Sequence, residues 1–193
     1  VGVDPASTLS VDGRRLALWT EYVPTNGFSM PLSFTAAPVV YAGSLADTGR
    51  LISGDAAAGK VVIVDVPATV RPQLVGMLAP RYRNAAVIAR IQLERLAPEG
   101  LSRLQGRPVP DSSRRANALQ GIMLTRAGAT ALLGADPATL EPGAMGKPAT
   151  GRLDFARTPI PFPARNVVAI LRGSDNAVNK QYLSLTAHND HVG

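Results

Sequence analysis

Alternating apolar and polar positions predict a series of short strands in the first third of the chain. Residues 14–23 alternate with a period of two, which predicts a strand, and an Asn-Gly turn follows it. Residues 28–34 predict the returning strand, and residues 37–43 predict a short apolar strand between a proline and a glycine. Residues 61–66 read VVIVDV, the most hydrophobic strand of the chain. We therefore expect residues 61–66 to form a buried central strand.

The middle of the chain changes from strand-like alternation to a helical period. Residues 72–104 are predicted to be helix-rich, because apolar positions there recur at helical spacing. Residues 119–124 predict another strand. A helix over 127–133 should follow, since a threonine precedes it as N-cap and a glycine comes after it. Residues 153–156 predict a last short strand in this part of the chain.

Turn and proline signals divide the chain into segments. Residues 1–13 are rich in turn formers and predict a leading linker, whereas residues 159–165 carry three prolines and predict a stiff linker. The segment 14–158 between them mixes strands and helices. We expect an α+β fold here, a β-rich domain with flanking helices. Residues 166–193 form a separate final segment.

The final segment predicts two strands and ends in the chain's only histidines. Residues 166–173 and 182–187 should pair as antiparallel strands, because a Gly-Ser-Asp turn and a short polar loop separate them. His188 and Asp190 follow the second strand, and in extended chain two residues at this spacing point to the same side. A metal-binding imidazole usually has its second nitrogen held by a carboxylate or carbonyl. The pattern is also that of a strand running into a polar loop, and spacing alone leaves both interpretations open.

The run NVVAILRGSDNAVNKQYLSLTAHNDHVG resembles the start of the catalytic domain in zinc aminopeptidases of metallopeptidase family twenty-eight. That family has an asparagine, an apolar strand, Gly-Ser-Asp, a tyrosine-led strand and then H-x-D-x-x-G. The resemblance implies that His188 is the first zinc ligand and that Asp190 is the carboxylate behind it. Gly193 matches the closing glycine, and His191 stands at a variable position without an assigned role.

The same resemblance implies two zinc ions in the full-length parent, which would be an exopeptidase acting on peptides. The family's bridging aspartate, catalytic glutamate and further ligands all follow this motif. One histidine cannot hold a zinc pair that needs several protein ligands and an open water position. We therefore expect these 193 residues alone to be inactive and to bind zinc weakly at best.

Residues 14–158 are similar in element order to a protease-associated domain. The shared order is an APVVYAG strand, a valine-rich strand after Gly-Lys, an alanine-rich helix, and a strand leading into IMLTRAGATALLG. The helical insert around residues 90–107 is longer than this module usually has. In the peptidase family such a domain is inserted just before the asparagine-led strand, so the two resemblances agree in order.

Composition narrows the class of protein. Hydrophobic residues make up 46% and charged residues 18%, which is typical of a globular chain. The chain has no cysteine, which excludes disulfides and thiolate metal sites, and no apolar run approaches the roughly 20 residues that cross a bilayer. The start lacks a methionine, a basic segment and an apolar segment, so we expect an excised piece of a secreted or periplasmic parent.

The net charge of +6 is concentrated in the middle of the chain. Nine arginines but only three acidic residues lie from Arg81 to Arg126. A basic surface can bind nucleic acid, but Tyr82 is the only aromatic side chain there, so no base-stacking platform is predicted. We expect arginines on solvated faces and no nucleic-acid or membrane partner. A stand-alone module that binds peptides or proteins without catalysis remains the alternative function.

Overall fold

The computed structural model of the protein describes residues 2–25, 32–106 and 121–156. These residues all lie in one compact unit, Val1–Thr158. The strands are β1 (Gly2–Val3), β2 (Thr8–Val11), β3 (Arg14–Arg15), β4 (Tyr22–Thr25), β5 (Leu32–Ala37), β6 (Val39–Ser44), β7 (Val61–Asp65), β8 (Val87–Ile91), β9 (Gly121–Leu124), β10 (Ala149–Leu153) and β11 (Phe155–Ala156). The helices are α1 (Gly54–Ala57), α2 (Pro72–Gly76), α3 (Leu78–Arg81), α4 (Pro98–Gly106) and α5 (Arg126–Leu133).

A five-stranded mixed sheet is the centre of the fold. Its order is β4-β9-β8-β7-β6, with β6 to β9 parallel and β4 antiparallel at one edge. Strand β7 is covered on both faces, since Val61, Val62, Ile63 and Val64 are each 0% exposed. The prediction of a buried central strand at residues 61–66 is therefore confirmed. A continuous apolar run is what a parallel strand with two covered faces requires.

A four-stranded antiparallel sheet, ordered β3-β2-β10-β5, and helix α5 pack over one face of the five-stranded sheet. Side chains from both sheets and from α5 form a single core there. Tyr22 is 0% exposed in this core, and its hydroxyl has no hydrogen-bond partner among the described residues. Burial raises the pKa of Tyr22 to about 12, and Arg15 opposes that rise.

The opposite face of the five-stranded sheet packs against helices. Leu78 and Tyr82, at the two ends of α3, lie with Ala57 of α1 against apolar side chains of β6, β7 and β8. A smaller cluster of Val23, Leu93 and Met123 is joined by Leu101 of α4. The described residues thus form an α+β fold, β-rich with helices packed on its sheet, as the sequence predicted.

Several local predictions differ from the structure. The described part of the return strand expected at 28–34 belongs to β5 and pairs with β10, not with β4, and the strand expected at 153–156 is divided between β10 and β11. Residues 1–13 were expected to be a linker, but β2 pairs with β10 and buries Leu9 and Val11. The predicted strand over 14–23 is interrupted by Trp19, whose φ is +76°, and divides into β3 and β4. The predicted helical stripe in 72–104 is wrong around β8, where the apolar positions also fit a strand with two buried faces.

The predicted helix over 127–133 is confirmed as α5, with one more residue at its start. The Thr125 hydroxyl accepts a hydrogen bond from the backbone N–H of Gly128, and Gly134 ends the helix with a φ of +79°. These are the N-cap and the left-handed C-terminal residue that the sequence indicated. Among the described residues, no helix has the length and apolar character to cross a membrane.

Candidate functional site

The predicted metal motif lies outside the described residues. His188, Asp190, His191 and Gly193 all belong to this part of the chain, as do the predicted strands at 166–173 and 182–187. Their assignment as a zinc ligand, its supporting carboxylate and the surrounding motif therefore stays a prediction. Within residues 2–25, 32–106 and 121–156, no three His, Asp or Glu side chains lie close enough together to hold a metal.

Polar side chains gather at the carboxyl end of the parallel strands, where open sheets usually bind ligands. Asp65 ends β7, and its Oδ2 accepts a hydrogen bond of 3.2 Å from the Ser44 hydroxyl at the end of β6. Its Oδ1 is buried and has no hydrogen-bond partner in the described part of the chain. Burial, and then the Asp65 carboxylate, raise the pKa of Tyr41, while Arg126 opposes the rise.

Charged groups around the start of α5 are paired with one another. The Arg126 backbone N–H donates to the Glu94 carboxylate at 2.9 Å, so Glu94 occupies the start of that helix. The Arg126 guanidinium donates to Asp136 Oδ1 at 2.6 Å. The Ala138 N–H and then Arg126 lower the pKa of Asp136. These contacts hold the loop after β8 and the loop after α5 against the helix, which is a structural role.

A groove opens beside this edge, between the loop that follows β6 and the segment that follows β7. It is lined by Leu45 and Ala46 from the first, and by residues 69–71 together with Gln73 and Leu74 of α2 from the second. Its volume is about 460 Å³, within the range of small-ligand sites. The groove could not be predicted from the sequence. Its residues come from two segments about 25 positions apart, and only the parallel pairing of β6 and β7 brings these segments together.

The basic stretch from Arg81 to Arg126 does not form one surface in its described part. Arg81 donates to the backbone carbonyls of Leu51 and Ile52 at 2.7 and 3.0 Å, so it ties α3 to a loop. Arg83 and Arg95 are exposed, as expected for solvated faces. Arg90 differs, because it stands in the middle of the sheet on β8, between Val64 and Met123 of the neighbouring strands.

Arg90 forms no hydrogen bond or ion pair within the described residues, and burial lowers the pKa of its guanidinium. We expect Arg90→Met to raise the free energy of unfolding by about 1 kcal/mol, because it removes a buried charge that has no partner among the described residues and keeps the apolar stem. Urea unfolding measures this, with exposed Arg83→Met as the control. A loss of stability in Arg90→Met alone would show that the guanidinium has a partner.

Comparisons with known proteins do not show a family for this chain. No family model matches the chain, and no curated protein matches it. Among solved structures, it is similar to an aminopeptidase from Aneurinibacillus sp. strain AM-1, with a TM-score of 0.44 and 14% sequence identity. The match covers 79% of this chain and 31% of that one, so the chain spans about a third of the length of the matched protein.

Proposed function

We propose that the chain is part of a secreted or periplasmic zinc exopeptidase of the aminopeptidase type. It would comprise a protease-associated domain, predicted at 14–158 and extended to include β1 and β2, and the first two strands of the catalytic domain at 166–193. The observation that carries this proposal is the register of the final segment. An asparagine-led apolar run, Gly-Ser-Asp, a tyrosine-led alternating run and H-x-D-x-x-G follow one another in the order of the family.

The roles of the chain's own residues follow from this motif. His188 would bind zinc through one nitrogen of a neutral imidazole. Asp190 would accept a hydrogen bond from the other ring nitrogen, which fixes the tautomer and the direction of the ring. When bound, zinc would polarise the scissile carbonyl and lower the pKa of a bound water. Residues 14–158 would shape access to the peptide substrate without taking part in the chemistry.

The ligand count gives the direct test of this proposal. The resemblance assigns one zinc ligand within these 193 residues, so we expect the chain alone to release no product from aminoacyl-anilides and to retain little zinc on dialysis. The full-length parent should hydrolyse aminoacyl-anilides and should retain zinc on dialysis. Metal analysis and anilide hydrolysis on the two proteins measure this, and a full-length parent without zinc or hydrolysis would contradict the proposal.

In the full-length parent, Asp190→Asn should keep zinc bound but weaken its affinity by roughly 10- to 100-fold, as other changes behind a metal ligand do. The asparagine amide oxygen can still accept the hydrogen bond that orients the imidazole. Because it carries no charge, it no longer raises the basicity of the ligating nitrogen as a carboxylate does. Competition with a chelator measures the zinc affinity. Asp175→Asn, in the Gly-Ser-Asp run that precedes the tyrosine-led segment, is the matched control and should leave the affinity unchanged.

A second function is favoured by the groove between the loops after β6 and β7. It is an open groove lined by apolar and polar residues, and it lies at the edge of the sheet where ligands usually bind. These features support a module that binds peptides, with or without a catalytic parent. Peptide binding by the isolated chain tests this function separately from zinc.

A further inference from the structure

The groove between the loops after β6 and β7 has an apolar wall. Leu74 is 37% exposed, one of two large apolar side chains with this much exposure among the described residues. Val70, which also lines the groove, is half-buried, whereas Leu45 lines it but is 1% exposed. A single exposed leucine has no special meaning, but two accessible aliphatic residues that line one groove favour an apolar ligand group.

The charge in the groove is of one sign. Arg71 is exposed and lines it, whereas no Asp or Glu does so within the described residues. Its guanidinium has no ion pair or hydrogen bond with any described residue, unlike that of Arg126, which binds Asp136. The Gln73 amide and the Thr69 hydroxyl add neutral hydrogen-bonding groups. This wall is complementary to a carboxylate.

Arg71 and Leu74, which supply the charge and part of the apolar wall, are close along the chain. The backbone N–H of Leu74 donates to the carbonyl of Arg71 at 3.0 Å, so both side chains leave one tight turn. A ligand that contacts both combines an apolar group with an anionic group in a small space. The C-terminal residue of a peptide does so, because its side chain and carboxylate leave the same carbon. A nucleotide fits less well, since no aromatic ring that could stack on a base lines the groove.

We propose that this groove binds the C-terminal residue of a peptide that ends in an apolar side chain. The side chain packs between Val70 and Leu74, and the terminal carboxylate pairs with the Arg71 guanidinium, which can hold both oxygens at once. The site gives a ligand class to the peptide-binding function proposed above. It does not involve His188, so it stands or falls independently of zinc.

Fluorescence anisotropy of labelled peptides with the 193-residue chain tests the proposal. A peptide ending Gly-Ser-Gly-Leu with a free carboxylate should bind about tenfold more tightly than its C-terminal amide, because one charge-assisted hydrogen-bonded pair is lost. Arg71→Gln should remove this preference. Leu74→Ser should weaken binding of the leucine peptide to the level of a peptide ending in serine.

Arg83→Gln is the matched control, since Arg83 is exposed like Arg71 but does not line the groove. It should leave the affinities unchanged, and thermal melting should show all variants folded. Equal binding of acid and amide, a preference that survives Arg71→Gln, or no binding at millimolar peptide would overturn the proposal. So would a dimer, detected by sedimentation, that Leu74→Ser dissociates, because a second copy would then fill the groove.

Discussion

In the full-length parent, His188→Ala should remove zinc and abolish hydrolysis of aminoacyl-anilides. The substitution deletes a nitrogen ligand, and a zinc site with an open water position has few protein ligands to lose. The effect should exceed the roughly 10- to 100-fold that is typical for groups behind a ligand, such as Asp190. Metal analysis after dialysis and the rate of anilide hydrolysis measure the two consequences separately.

His191→Ala is the matched control for this experiment. It removes the chain's other imidazole, three residues away, which in an extended segment points to the opposite side. Zinc content and rate should both stay close to those of the unchanged parent. If His188→Ala kept its zinc and its rate, the motif would not be a metal site. If His191→Ala behaved like His188→Ala, the resemblance would have assigned the wrong histidine.

Where local sequence carried the structural signal, the predictions were confirmed. Strand β7 has four consecutive aliphatic residues, which only a strand covered on both faces accommodates in a parallel sheet. Helix α5 has Thr125 before it and Gly134 after it, and both cap the helix as expected. In each case the deciding interaction lies within a few residues of the chain.

Where distant contacts decide the structure, the sequence was a poorer guide. The stripe through Ile88 and Ala89 fits a helix as well as a strand, and only pairing with β7 and β9 resolves the ambiguity. Strand β2 is too short to stand out among turn formers, and β10 rather than local pattern orders it. The groove could not be predicted, because its walls meet only after β6 and β7 pair. The metal motif was predicted by resemblance alone.

The close approach of α5 to the chain before β4 makes Gly128 a sensitive position. A Cβ built on Gly128 would lie 2.6 Å from the backbone carbonyl oxygen of Glu21. That carbonyl cannot easily move, because it accepts a hydrogen bond of 3.0 Å from the Thr125 backbone N–H at the start of the helix. The Glu21 carbonyl oxygen therefore contacts both the N-cap residue and the first turn of α5. A methyl group on Gly128 would displace this oxygen and disturb the cap hydrogen bond.

Gly128→Ala should lower the free energy of unfolding by about 1–3 kcal/mol, the usual cost of overpacking a tight contact. The sign is informative, because glycine to alanine within a helix ordinarily stabilises by up to about 1 kcal/mol. For a chain of this size, Tm should fall by about 2–4 °C for each kcal/mol lost. Urea unfolding and thermal melting of the chain measure both quantities.

Gly100→Ala in α4 provides the control, because the built Cβ there meets only the Leu96 side chain, at an ordinary 3.8 Å. It should leave the free energy of unfolding unchanged or raise it slightly, since no backbone atom opposes the new methyl group. The two alanines then differ in what they touch and not in their chemistry. Equal stabilisation by both would mean that α5 does not pack against Glu21 as closely as 2.6 Å requires.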